Sequence, residues 1–309
     1  MIRRAPPISG RQEIAKQRPA TTCLTIVVRG IAGSALAVGL GCRGQTPPRL
    51  HENARLNEKA AHPQRVIRSI SASSPRGTVL WSANLETGDL SQWSLPDTPG
   101  GPKAGGGVFN SGIAAANVEV APVAHSGQHS VGLFIDTSGG ADAPTSGTRL
   151  FRWLEPKMYQ ELYYRVWYYF PRRYTADGSP AWWNVQSWKS KHLDGDDPFF
   201  SLNVGNRLDG SMYLYLYDQN KRVSYTQAIA NIPEAQWFRT DTFFRCAPQA
   251  GHVTVWQNET LILDAADVQT RYSDGDCRWS VNNYSSSLNP ATVTIYVDDA
   301  AICSRETCP

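Results

Sequence analysis

Amides, aromatic rings and cations are interleaved in the segment Trp183–His192, which reads WNVQSWKSKH. Its residues alternate in character, and Asn184, Gln186 and Trp188 occupy the even positions. Period-two alternation is typical of a half-buried strand, so we expect the odd positions to face a core and these three to face outward. Aromatic rings stack on the apolar face of a sugar ring, and amides hydrogen-bond its hydroxyl groups. The outward face therefore predicts a carbohydrate site.

The same alternation recurs in later segments. Residues 211–217 place Tyr213, Tyr215 and Tyr217 on one face, opposite aliphatic side chains. Three adjacent tyrosines form a large apolar patch, so either a ligand or a loop should cover them. The predicted substrate contacts are Asn184, Trp188, Lys191, Asn203, Tyr213, Tyr215, Arg165 and Arg239.

Charge divides the 309-residue chain into two regions. Residues 1–77 carry a net charge of +10 and residues 78–309 carry −7. The strand-like segments all lie in the acidic region. A negative net charge there argues against nucleic acid as a partner, because nucleic acid binds to a basic surface.

The basic region contains the apolar stretch 24–41, which is too short to span a bilayer comfortably and ends before Cys42. Basic residues followed by such a stretch predict an export signal over residues 1–42, and LGC resembles the end of a lipoprotein signal. The alternative is a basic disordered leader with a chance apolar run. Export predicts an extracellular or cell-envelope location, and membrane attachment only through a lipid on Cys42. Residues 43–77 are polar and basic, which predicts a disordered linker.

Four cysteines lie in the acidic region, and an even number in an exported domain predicts two disulfides with three possible connectivities. Cys303 and Cys308 are close enough in sequence to close a small terminal loop, which leaves Cys246 with Cys277.

About a dozen short strand-like segments lie between turn residues from Thr78 onward, without a long helical period. This pattern of short strands and turns predicts an all-β domain over residues 78–309, built from two packed antiparallel sheets.

Several segments carry a family resemblance, among them LWSANLETGDLSQW, ELYYRVWYYFP, HVTVWQNETLI and TVTIYVDDAAI. Over residues 79–303 the chain resembles the concanavalin A-like β-jelly-roll proteins, and within them the heparin-lyase-I-like and glucuronan-lyase-like polysaccharide lyases. The resemblance implies a jelly-roll sandwich and β-elimination of a uronate-containing polysaccharide. That reaction needs donors that neutralise the uronate carboxylate, together with a base and an acid.

The family pattern matches only in part. Gln186 matches the glutamine of the family's Q-x-H motif, but Trp188 stands in place of the histidine. Tyr284 matches a late tyrosine, but Ser280 stands where the family has lysine. Nearby cations could substitute for the missing groups. The predicted catalytic residues are Gln186, Tyr284, Lys189 and His192.

In this fold class a calcium ion often ties the first strand's turn to the last strand. Glu86 and Asp298 stand at those places and predict a structural Ca²⁺ site, and no organic cofactor is expected. Two functions stay open: a polysaccharide lyase, or a non-catalytic carbohydrate-binding protein that keeps the groove. A glycoside hydrolase is disfavoured because the usual E-x-D-x-x-E pattern is absent from the sequence.

Overall fold

A computed structural model describes residues 78–94, 105–120, 123–139, 145–152, 159–177, 181–192, 195–304 and 308. For residues 191, 192, 195 and 196 it describes the backbone alone. The predicted export signal (1–42) and basic linker (43–77) lie outside the described residues. In the part of the chain that is described, no helix is long and apolar enough to cross a membrane.

The described residues form seventeen strands and one short 3-10 helix, Ser91–Ser94. The strands are β1 (Val79–Ala83), β2 (Gly106–Ser111), β3 (Ile113–Val120), β4 (His129–Asp136), β5 (Ser146–Arg152), β6 (Glu161–Tyr169), β7 (Thr175–Ala176), β8 (Trp183–His192), β9 (Gly195–Asn206), β10 (Met212–Asp218), β11 (Val223–Tyr225), β12 (Trp237–Arg245), β13 (Gly251–Gln257), β14 (Thr260–Val268), β15 (Asp276–Ser285), β16 (Leu288–Asn289) and β17 (Thr292–Cys303).

Two large antiparallel sheets contain nearly all of these strands. The eight-stranded sheet has the order β14-β13-β12-β6-β17-β4-β3, with β1 also paired to β17. The seven-stranded sheet has the order β11-β10-β9-β8-β15-β5-β2, and β16 pairs with β7. The prediction of an all-β jelly-roll sandwich of two antiparallel sheets is confirmed.

The core lies between the two sheets and is filled by alternate residues of each strand. In β10 the side chains of Met212, Leu214 and Leu216 are at most 1% exposed, while the intervening tyrosines face outward. Trp81 and Trp93 pack edge-on in the same core, with ring centroids 4.6 Å apart. Full burial of a large apolar side chain contributes roughly 1.5–3 kcal/mol, so this alternation holds each strand's register.

A bulge in β8 reverses its alternation and overturns one expectation. The pairing of β8 with β9 shifts between Asn184 and Gln186, which marks an inserted residue. Val185 and Gln186 are both buried, and Trp188 is fully buried in the interior. Ser187 instead bonds Asn184 on the outer face. The expected outward orientation of Gln186 and Trp188 is therefore wrong.

Two disulfides match the favoured pairing. Cys246 is bonded to Cys277, and Cys303 is bonded to Cys308. Cys246 directly follows β12 and Cys277 lies in β15, so the first disulfide joins the two sheets.

Candidate functional site

The outer surface of the seven-stranded sheet, called the front face below, carries six of the predicted site residues. Strand pairing places alternate residues of five neighbouring strands side by side on this surface. They are Tyr213, Tyr215 and Tyr217 of β10, Ser201 and Asn203 of β9, Asn184, Ser187 and Lys189 of β8, Arg278, Ser280, Asn282 and Tyr284 of β15, and Arg149 and Phe151 of β5.

An asparagine cluster, formed by Asn184, Ser187, Asn203 and Asn282, lies at the centre of the front face. The Asn184 amide donates to Asn203 Oδ1 at 3.1 Å, and the Ser187 hydroxyl donates to Asn184 Oδ1 at 3.0 Å. The Asn282 amide donates to both Asn184 and Ser187. Asn282 Oδ1 is buried and has no hydrogen-bond partner among the described residues. All four residues are at most 6% exposed, so the cluster is a rigid and nearly buried amide network with one unbonded acceptor.

Tyr284 is fixed beside this cluster by contacts on several sides. Its hydroxyl lies 3.0 Å from the Thr145 hydroxyl, and the Arg149 guanidinium lies 4.1 Å from the centre of its ring. Trp182 packs edge-on against the ring, with centroids 4.8 Å apart. Gly147 lies directly opposite in β5 and leaves the space that the ring occupies. The phenol is therefore held in one place next to a cation.

A cationic pocket lies on the other side of Arg149. It has a volume of about 250 Å³, and Arg149, Lys189 and Arg278 line it together with Phe109 and Phe151. Asp276 lies 3.7 Å from Arg278, whereas Arg149 makes no ion pair with a described residue. Among the described side chains at this pocket, positive charges outnumber negative ones, so the pocket suits an anionic group.

The tyrosines of β10 extend the front face on the far side of the asparagine cluster. Tyr213 and Tyr215 lie side by side with centroids 6.2 Å apart, and Arg207 lies 4.5 Å from the centre of the Tyr213 ring. Burial raises the pKa of Tyr215 to about 12, with a smaller contribution from the Tyr213 phenol, so Tyr215 stays a neutral hydrogen-bonding group at ordinary pH. Their partial burial still leaves aromatic surface on which a sugar can stack.

Gln186 does not join this site. Its Oε1 accepts a hydrogen bond from the Trp279 indole at 3.1 Å, and its Nε2 donates to Thr240 of the opposite sheet at 3.0 Å. Trp188 stacks on Phe244, also of the opposite sheet, with centroids 5.4 Å apart. Both side chains therefore link the two sheets and cannot contact a ligand on the front face. The prediction that Gln186 acts as a catalytic residue beside Tyr284 is therefore wrong.

Arg165 and Arg239 also lie elsewhere. They belong to β6 and β12 of the eight-stranded sheet, so their outward side chains face the opposite side of the sandwich. Both guanidinium groups pair with Asp241, at 2.7 Å and 2.6 Å. The expectation that they contact the same ligand as Asn184 is wrong, because alternation gives the face of a strand but not the sheet to which it belongs.

Lys191 and His192 end β8, where they pair with Asp196 and Gly195. Their side chains lie outside the described part of the chain, so their predicted roles stay predictions.

Glu86 and Asp298, the predicted calcium ligands, both bind the backbone of the loop before β4. Glu86 Oε1 accepts from the N–H groups of Gln128 and His129, and Asp298 Oδ2 accepts from His125. Across the described residues, no group of three or more His, Cys, Asp or Glu side chains is placed to hold a metal ion. The two carboxylates thus tie the first turn and the last strand to one loop, and the calcium site stays a prediction.

The structure adds residues that the sequence reasoning missed. Arg149, Arg278 and Asn282 line the front face, and Ser187 completes the asparagine cluster. The segment SGTRLFR alternates around Leu150, and this signal could have identified Arg149 as outward-facing.

Comparisons with known proteins show weak similarity. No protein-family model matches the chain, and no curated protein matches its sequence. Among solved structures, an endo-β-1,4-glucuronan lyase from the fungus Trichoderma reesei aligns at 15% identity and a TM-score of 0.47, covering 64% of this chain and 90% of that one. The alginate lyase vAL-1 from Chlorella virus aligns at 12% identity and a TM-score of 0.46, covering 74% and 100%. Domain 4 of the arabinanase AbnA from Geobacillus stearothermophilus aligns at 12% identity and a TM-score of 0.39, covering 74% and 95%. Because all three superpose weakly, activity and substrate have to be argued from the chain's own residues.

Proposed function

We propose that this protein is a polysaccharide lyase that cleaves a uronate-containing polysaccharide by β-elimination on the front face. One observation carries the proposal: the fixed Tyr284 phenol lies beside Arg149 and the asparagine cluster, next to a pocket with three cations. The sequence resemblance over residues 79–303 supports the same reaction.

The chemistry divides among these groups. The C5 proton of a uronate becomes removable when donors neutralise the adjacent carboxylate, and Arg149 with the amide of Asn203 would supply that charge compensation. The amide of Asn282 cannot do so, because both of its protons are bonded within the asparagine cluster. Tyr284 would take the C5 proton and return a proton to the leaving oxygen as the C4–O bond breaks and the C4–C5 double bond forms. One phenol can serve both steps when the C5–H and C4–O bonds lie on the same side of the sugar ring, because C5 and the leaving oxygen are both bonded to C4 and face the same group.

The shape of the site favours a polymer over a monosaccharide. From β10 to β5 the front face crosses five strands, which spans about 19 Å at the usual strand spacing. The tyrosines lie at one end and the cationic pocket at the other. An extended chain could therefore stack its sugar rings on Tyr213 and Tyr215 while a carboxylate reaches Arg149.

A second function, non-catalytic glycan binding, is favoured by the position of Gln186. The amide that the family pattern assigns to charge neutralisation is bonded inside the core, and the amide of Asn184 is already bonded within its own sheet. A chain that had lost the chemistry would keep the cationic pocket and the tyrosines for binding alone.

We propose export together with either function, to the exterior or the cell envelope, with lipid attachment at Cys42. Two disulfides support an oxidising compartment, because such bonds are rare in the cytosol.

Ultraviolet absorbance separates the two functions, because β-elimination creates a conjugated double bond and neither hydrolysis nor binding does. Residues 78–309, without the basic segment that would retain any polyanion, are incubated with glucuronan, alginate, ulvan, heparan sulfate and chondroitin sulfate, beside the variants Tyr284→Phe and Tyr296→Phe. Tyr296 lies on the eight-stranded sheet and is the matched control. We expect an absorbance rise that Tyr284→Phe lacks and Tyr296→Phe keeps. A rise that survives in Tyr284→Phe removes this phenol from the mechanism, and a flat trace with retention in affinity electrophoresis establishes the binding function.

A further inference from the structure

A second aromatic and charged surface lies on the outer side of the eight-stranded sheet, called the back face below. Neighbouring positions of β6 and β12 pair across it: Arg165 with Asp241, Trp167 with Arg239 and Tyr169 with Trp237. A cavity of about 600 Å³ opens here, and Tyr163, Trp256 and Glu259 line it together with the charged pair members. We propose that this cavity is a second carbohydrate site and that it binds a neutral glycan.

The charges of the cavity compensate one another. Asp241 accepts from Arg165 Nε at 2.7 Å through one oxygen and from Arg239 Nε at 2.6 Å through the other. A second carboxylate, Glu259, lies 3.3 Å from Arg239 Nη2. Among the described side chains that line the cavity, two guanidinium groups thus face two carboxylates, and their formal charges sum to zero. An anionic ligand gains no net attraction here, in contrast to the front pocket with Arg149, Lys189 and Arg278.

The same network presents hydrogen-bonding groups in fixed positions. The side chains of Arg165, Arg239 and Asp241 are only 15–18% exposed, and Arg165 also donates to the Cys308 carbonyl at 2.6 Å. Charged groups held this way are strong donors and acceptors with little rotamer freedom left to lose. Hydroxyl groups, which both donate and accept, match such an array of guanidinium N–H groups and carboxylate oxygens.

Aromatic rings flank the network on both sides. Trp256 lies beside Asp241 on β13, and Tyr163 packs against Phe243 with centroids 5.0 Å apart. On the other side, the His125 ring stacks on Trp167 at 3.7 Å, so Trp167 is braced from outside the sheet. Flat rings next to a neutral array of donors and acceptors match a sugar ring, which has an apolar face and a polar edge.

The experiment is affinity electrophoresis of the full chain in gels that contain xyloglucan, galactomannan, mixed-linkage β-glucan or arabinan. We expect retardation by at least one of these neutral polymers, with a dissociation constant that Trp256→Ala raises about tenfold and Trp256→Phe largely restores. Trp182→Ala, which alters the front face beside Tyr284, should leave the retardation unchanged. Because charge attraction plays no part, about 0.5 M NaCl should also leave it unchanged.

Three results would overturn the proposal. The first is the absence of retardation in all four gels, and the second is an equal loss of retardation in Trp182→Ala, which would assign the binding to the front face. The third is a change from dimer to monomer on sedimentation of Trp256→Ala, which would make the back face an interface between two copies. Thermal melting of each variant shows whether it folds. If Trp256→Ala is misfolded, the retardation of Trp256→Phe is measured in its place. Weaker retardation of that folded variant supports a binding role for Trp256, and unchanged retardation opposes it. The lyase assay uses uronate polymers, so its failure and the failure of this proposal are distinguishable.

Discussion

Gly147 is the residue on which the position of Tyr284 depends most directly. A methyl group at Gly147 would lie 2.2 Å from Tyr284 Cδ2, which no real contact allows. We expect Gly147→Ala to push the ring away from Thr145 and Arg149. A displacement of about 1 Å at a reacting group can lower the rate on the order of 100-fold. The measurement is the initial rate of absorbance increase on the polymer that the unaltered protein cleaves.

Gly205 provides the matched control, because it lies under Tyr213 on the same sheet. A methyl group there would lie 2.9 Å from the Tyr213 ring, far from the proposed reacting atoms. Gly205→Ala should change KM and leave kcat unchanged. If both variants lower kcat equally, the effect of Gly147→Ala reflects damage to the sheet and the position of Tyr284 is not the cause.

Asp298 is the residue that should set a pH dependence of stability. Burial, followed by the neighbouring Asp299 carboxylate, raises its pKa from 3.8 to about 6, against hydrogen bonds from backbone N–H groups that lower it. Between these two pH values the folded protein holds a proton that the unfolded chain has lost. The free energy of unfolding should therefore fall as pH rises through this window, and the contribution of Asp298 should stay constant at its least favourable value above it.

Urea denaturation from about pH 4 to about pH 7 checks this expectation with Asp298→Asn as the comparison. Asparagine does not titrate. The difference in the free energy of unfolding between the two proteins should therefore change with pH up to about 6 and become constant above that pH. Other carboxylates, such as Glu86 with its lowered pKa, contribute equally to both proteins and cancel. A constant difference at every pH would contradict a raised pKa.

At this scale the sequence predicts outward residues well until a bulge intervenes. Asn184, Asn203 and the β10 tyrosines face outward as alternation predicts. Gln186 does not, because the bulge inserts one residue, and alternation alone carries no sign of where a bulge occurs. The buried hydrogen bonds of Gln186 to both sheets explain why an amide is tolerated at that interior position.

Among the elements, β12 and β15 are joined across the sandwich by the Cys246–Cys277 disulfide, with a sequence separation of 31. Cross-linking a loop of this length lowers the entropy of the unfolded chain by an amount worth about 3–4 kcal/mol. We expect the double variant Cys246→Ala/Cys277→Ala to lose that much stability in urea denaturation.

The Cys303–Cys308 disulfide is the matched control, because its cysteines are also buried but its sequence separation is only 5. The same entropy argument gives about 2 kcal/mol for its removal. If removal of the two disulfides lowers the free energy of unfolding equally, or if removal of Cys303–Cys308 lowers it more, loop length does not determine how much each bond stabilises the fold.

The elements also show where local sequence signals succeed and fail. QNET predicts a hairpin turn, and β13 and β14 meet there with positive φ at Asn258 and Glu259, the conformation of a tight hairpin turn. In contrast, the adjacent residues Asn282 and Asn283 are typical of a turn in the sequence, but they lie inside β15. Asn283 donates to the Leu133 carbonyl at 2.8 Å, so a buried tertiary bond outweighs the poor strand propensity of asparagine.

For the whole molecule, the uneven charge determines how a polyanion can approach. Residues 78–309 carry a net charge of −7, yet Arg149, Lys189 and Arg278 gather at one pocket of the front face. At a distance a uronate polymer meets a repulsive molecule, and only close to the pocket does it meet attraction. Residues 1–77, with +10, would attract any polyanion without specificity, so the behaviour of the sandwich has to be measured on residues 78–309 alone.

Salt should therefore act oppositely on the association rate and on the affinity of residues 78–309. Raising NaCl from about 0.01 M to about 0.15 M shortens the screening distance from about 30 Å to about 8 Å. That removes long-range repulsion, so the association rate with the preferred polyuronate should rise in stopped-flow measurements. Contacts in the pocket are weakened at the same time, so the dissociation rate should rise more and the affinity should fall.

The double variant Arg149→Gln/Lys189→Gln separates the two effects. It should bind more weakly at both salt concentrations, because the pocket has lost two cations, while its association rate still rises with salt. An association rate that falls with salt from the outset in the unaltered protein would mean that the cations of the front face, and not the net charge, govern the approach. In that case the acidic surface would lie far enough from the pocket to leave the local field of Arg149, Lys189 and Arg278 dominant.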